Sequence, residues 1–109
     1  MEPILRRIKT LVEVDIADDI FDPQLLHYCN GGLQYLINNA IPVTLIDNET
    51  VDWPDIEPGD DNIVIAWLHF YVVQRFDGSL MAVTSRGSQI WIDGEMNNLI
   101  YQLKARYDI

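Results

Sequence analysis

DIADDIFDPQLLHYCNGGLQYLINNAI, residues 15–41, carries the sharpest helix start in this chain of 109 residues. Phe21-Asp22-Pro23 marks it. An aspartate there can accept from the orphan N–H groups of a first turn, and proline brings a preset φ to the first helical position. Phe21 stands where a hydrophobic staple would. Behind it, Leu25/Leu26, Cys29, Leu33, Leu36/Ile37 and Ala40 recur every three or four residues, which makes one apolar helical face. Pro42 stops the helix, since a proline pushes its predecessor out of the α region. Gly31-Gly32 falls inside at about 1 kcal/mol per glycine relative to alanine. The pair predicts close packing against another helix backbone, with a kink or hinge as the alternatives.

Working outward, residues 2–14 form a short amphipathic helix with Ile4, Leu5, Ile8, Leu11 and Val12 inward and Arg6, Arg7 and Lys9 outward. Pro3 suits its first turn. The acidic DIADD stretch is a loop. After Pro42 the pattern is not helical: 43–46 and 50–53, separated by Asp47-Asn48-Glu49, read as a small β-hairpin or an extended excursion over about 42–58, with Trp53 as its anchor. Pro58-Gly59-Asp60-Asp61-Asn62 offers caps for a third helix ending near Phe76. The β-branched and aromatic content of 63–73 would also suit a strand; length and the cap cluster favour the helix. Being apolar nearly all round, it should be central. Asp77-Gly78 ends it, and a loop through Ser88, with Gly78 and Gly87 as turn residues, leads to a last helix. There Ile92, Met96, Leu99/Ile100, Leu103 and Tyr107 line one face, and Lys104 and Arg106 complement the C-terminal dipole. The fold class is therefore mainly α: a small four-helix bundle in one domain, 1–109, with helices near 3–14, 23–41, 61–76 and 89–107.

A hydrophobic fraction of 49% suffices for a core, and a domain of this size leaves roughly a third of its unfolded-chain surface exposed for partners. The net charge is −10, and between Lys9 and Arg75 there are twelve Asp and Glu and not one Lys or Arg. Binding to duplex phosphates by a basic patch is thereby disfavoured. The acidic surface keeps the chain soluble, or else repels or mimics DNA. The single cysteine, Cys29, sits on the apolar face of its helix and reads as a buried structural thiol. No signal peptide or membrane span is expected.

Catalytic chemistry is not expected. There is no P-loop, no G-x-S-x-G and no dinucleotide fingerprint. His27 and His69 lie far apart, Cys29 points to a different helix face from His27, and the acidic runs do not match a calcium loop. The carboxylate pairs Asp18/Asp19 and Asp60/Asp61 fall in loop and cap positions that explain them. The expectation is no enzyme, no cofactor and no metal.

One resemblance runs loosely through the whole chain. IKTLVEV near the start, DIFDPQLLHYCN opening the second helix, Val51-Asp52-Trp53 closing the extended segment, Arg75-Phe76-Asp77 ending the apolar helix, and Leu99-Ile100-Tyr101-Gln102-Leu103 in the last helix together resemble the head–tail connector (adaptor) proteins of tailed bacteriophages. Gly78-Ser79, where relatives often carry prolines, and Gly31-Gly32 depart from that pattern.

The resemblance implies a structural virion protein that forms a dodecameric ring under the portal, made in the host cytoplasm and placed at the head–tail junction. Its partners would be the portal protein, a stopper or tail-completion protein and its own copies, with DNA passing through the lumen unbound. Contact between subunits is expected at the excursion, through Val43, Leu45, Ile46, Val51 and Trp53. Portal docking is expected at the C-terminal helix, through Tyr101, Lys104, Arg106 and Tyr107. The rival from another class is an acidic DNA mimic or other small inhibitory or regulatory interaction protein.

Overall fold

In this computed structural model residues 2–12, 19–76 and 86–107 are described, with side chains except at 76 and 86–91. Among them four helices form: α1 (Ile4–Leu11), α2 (Asp22–Asn38), α3 (Asp61–Phe76) and α4 (Arg86–Arg106). The end of the first helix beyond Val12, the DIADD loop up to Asp18, and the Asp77-Gly78 stop with the loop as far as 85 lie outside the described residues.

Residues 63–73 take the helix alternative, and α3 packs against α1, α2 and α4, as an element apolar nearly all round must. Val64, Ile65, Trp67, Leu68 and Val72 bury its length against Leu25, Cys29, Leu33 and Leu36 of α2, Ile4, Leu5 and Ile8 of α1, and Leu103 of α4. The glycines of α2 serve close packing, though against side chains and not a backbone. A Cβ on Gly32 would stand 3.0 Å from Leu68 Cδ2, Trp67 Cζ3 and Tyr71 Cδ1, so any side chain there would force these three to give way. Gly31 would meet chiefly the Tyr71 hydroxyl, at 3.2 Å.

Helix α1 departs from its expected orientation. Lys9 is 3% exposed and Leu11 is 43% exposed. Lys9 turns inward because its Nζ lies 2.8 Å from Asp22 Oδ1 and 3.8 Å from Asp19 Oδ1, so the start of α2 supplies the countercharge that burial demands. Arg7 is also drawn in, 3.0 Å from Asp61 Oδ2 and donating to Asn62 Oδ1 at 3.0 Å. Asp22, committed to Lys9, is not the cap of α2: Phe21 occupies that position without a side-chain cap bond, and Pro23 falls in the first turn as expected.

The β-hairpin does not form, and residues 41–60 contain no strand. The reason is where their backbone groups go. Asn30 of α2 satisfies both polar groups of Ile46, accepting from its N–H at 2.8 Å and donating to its carbonyl at 3.0 Å. Asp47 closes a tight turn by accepting from the N–H groups of Glu49 and Thr50, each at 2.9 Å. The Thr50 carbonyl accepts from Ile4 N–H at 2.8 Å, serving an orphan donor of α1. The two arms are joined by a side chain, Trp53 Nε1 donating to the Thr44 carbonyl at 3.0 Å, where a ladder was expected.

Helix α2 stops at Asn38, short of Ile41. Ala40 adopts φ 66°, and Ile41 N–H donates to Leu36 O at 3.1 Å while Ala40 N–H donates to Ile37 O at 3.0 Å. These are the two bonds of a Schellman cap, with Ile41 and Leu36 buried beside each other in the core. A left-handed alanine is strained, so Ala40→Gly should raise stability by about 0.5–1 kcal/mol in urea denaturation. Helix α4 starts at Arg86, ahead of 89, which puts Gly87 inside its first turn and not in a loop. No apolar period marks 86–89, so the sequence offers no signal for that turn.

Candidate interaction surfaces

Three surfaces emerge from this packing. The first is the excursion. Val43, Ile46 and Trp53 are buried in the core, Val51 is half-buried, and Leu45 is 51% exposed. Three of the five residues expected at a subunit contact thus shape the segment from within, and Leu45 is the one that faces solvent.

The second is the C-terminal end of α4. The Tyr107 hydroxyl donates to Asp60 Oδ2 and accepts from Glu57 N–H, both at 2.8 Å, and Arg106 Nη1 lies 2.8 Å from Asp60 Oδ1. Partial burial, with the Asp60 carboxylate beside it, raises the Tyr107 phenol above its ordinary value. Arg106 and Tyr107 therefore clamp α4 onto the turn before α3. Tyr101, 75% exposed, and Lys104 remain on the outside of the same helix.

The third went unread in the sequence. Tyr35 of α2 stacks on Trp67 of α3 (5.7 Å between centroids, 9° between planes), and Trp67 stacks on Tyr71 (5.3 Å, 23°). The Arg75 guanidinium lies 3.6 Å from the Tyr71 ring centroid. With Met96, Asn97 and Ile100 of α4 these residues line an open groove of about 460 Å³. The i, i+4 spacings Trp67/Tyr71/Arg75 and Met96/Ile100 could have shown it. Burial of α3 explained the same residues, so nothing in the sequence separated core from groove.

The two histidines and the cysteine stand apart from the groove. His27 is exposed on α2 and His69 half-buried on α3, its pKa lowered by burial against the opposing pull of the Leu11 carbonyl. Cys29 is wholly buried, and burial pushes its thiol up to about 12. Among the described residues no group of three His, Cys, Asp or Glu could hold a metal ion, and no helix is long and apolar enough to cross a membrane.

What remains is a helical body whose surfaces suit contact with other proteins. The family model described as phage connector protein matches residues 4–109. The chain belongs to the phage connector protein family. No curated protein and no solved structure matches it. Membership gives this connector a structural role in a phage particle, in contact with other head or tail proteins. The match covers all four helices, so the clamp at Tyr107, the excursion and the aromatic groove all belong to the connector unit.

Proposed function

We propose that this connector forms a ring beneath the portal, extends the DNA channel and links head to tail during assembly. The family match over 4–109 carries the reading. Its partners are the portal protein, a stopper or tail-completion protein and further copies of itself. The charge pattern supports it: a lumen must let DNA slide, and a chain of net charge −10 offers phosphates little to bind. The same charge would suit a DNA mimic, but carboxylates available for mimicry are fewer than the composition suggests. Asp22, Asp60 and Asp61 are engaged by Lys9, Arg106 and Arg7, and Asp47 is spent on its own turn.

In this reading Leu45, held outward by the buried Val43, Ile46 and Trp53 and flanked by half-buried Val51, touches the neighbouring subunit. Tyr101 and Lys104 meet the portal, and Arg106 and Tyr107 fix the helix that presents them. Surface changes test the docking more cleanly than a truncation, because Tyr107 also holds the fold. Tyr101→Ala with Lys104→Glu should weaken co-sedimentation with the portal by about tenfold or more and leave the helical circular dichroism unchanged. Undiminished binding would remove the docking role. The protein alone should give no gel shift with duplex DNA at micromolar concentration and about 150 mM salt, because it lacks the cations that displace counterions. A shift would contradict the non-binding lumen.

A further inference from the structure

We propose that the aromatic groove between α2, α3 and α4 seats the Leu45 corner of a neighbouring copy; this rests on the ring reading and names the surfaces that would build the ring. The groove and the corner are distinct parts of the surface. No residue of α1 or of 41–58 lines the groove, whereas the excursion leans on α1 through Thr50 and on α2 through Asn30. Two different patches on one chain make a head-to-tail contact, the kind that closes into a ring when the rotation permits.

Hydrogen-bonding needs match across such a contact. Trp67 Nε1 is buried with no acceptor among the described residues, an unfavourable state for a donor. Leu45, on extended backbone, has neither its N–H nor its carbonyl bonded among those residues. Trp67 lines the groove, and a carbonyl of the corner seated there would be the acceptor that this contact supplies. The Leu45 side chain, half in water in the single chain, would be covered by Tyr35, Met96 and Ile100.

Charge matches as well. Arg75 sits at the groove over Tyr71, and no carboxylate pairs with it among the described residues. The corner brings the exposed carboxylate of Glu49, from a stretch that holds no Lys or Arg between Lys9 and Arg75. Asp93, the one carboxylate of the lining, is already engaged within its own chain. An acidic, apolar-tipped, extended segment is what an aromatic groove with one cation selects, and this chain carries such a segment itself.

The test uses full-length chains mixed with portal. Thr44→Cys and Asn97→Cys chains, combined in equal amounts and treated with a short bismaleimide, should give covalent heterodimers, and neither variant alone should. Cys29 stays silent, being buried and protonated. Arg75→Glu should weaken oligomerisation by about tenfold, and Glu49→Arg in the same chain should restore it. Oligomers that form without heterodimer cross-links, or a double variant no better than Arg75→Glu, overturn this contact and leave the ring reading intact. If no oligomer forms even with portal present, both fall.

Discussion

Replacing Lys9 with methionine should lower stability by about 3–5 kcal/mol, because it removes one partner of a buried ion pair and strands the other. The Lys9 side chain is 4% exposed and that of Asp22 16%, so water cannot take over the carboxylate. Asp19, 85% exposed, contributes little. The loss comes from the orphaned charge more than from the bond, which makes a second expectation decisive. Lys9→Met combined with Asp22→Asn should recover most of the stability, since a neutral side chain in the first turn of α2 leaves no uncompensated charge. Urea denaturation of the two single variants and the double variant measures this directly. A double variant as unstable as Lys9→Met would mean that Lys9 acts through packing alone.

Trp53→Ala should cost about 3–5 kcal/mol, the range for deleting a large buried aromatic. Trp53 is 2% exposed and its side chain ties the two arms of the excursion together through the Thr44 carbonyl. Trp53→Phe should cost less, chiefly the carbonyl left unsatisfied, at about 1–3 kcal/mol. Leu45→Asp, on the exposed side of the same segment, should change stability by no more than about 0.5 kcal/mol. Equal losses at Trp53 and Leu45 would contradict the division of the excursion into an inner wall and an outer corner.

Helix existence was legible wherever a chemical signal stood beside a periodic one. Pro23 behind Phe21-Asp22 marked α2, and Pro58-Gly59-Asp60-Asp61 marked the start of α3 strongly enough to outweigh its β-branched content. Partner choice was not legible. Lys9 looked like one more solvent-facing cation because its countercharge, Asp22, lies beyond an intervening loop and was already explained as a cap. The hairpin failed for a related reason: alternation in 43–46 and 50–53 describes a side-chain pattern, while the backbone partners came from Asn30 of α2 and Ile4 of α1. The groove was hidden because stacked aromatics on a central helix satisfy a core pattern whether or not a partner also touches them. Among the residues expected at contacts, only burial divided Leu45 from Trp53 and Tyr101 from Tyr107.

Electron microscopy of purified portal mixed with the full-length chain decides whether the chain builds a ring there. A second ring of density should stack coaxially on the portal, with an open channel continuous through both. Bare portals, with the chain left free in solution or held instead by a host DNA-binding protein offered in the same mixture, would contradict it.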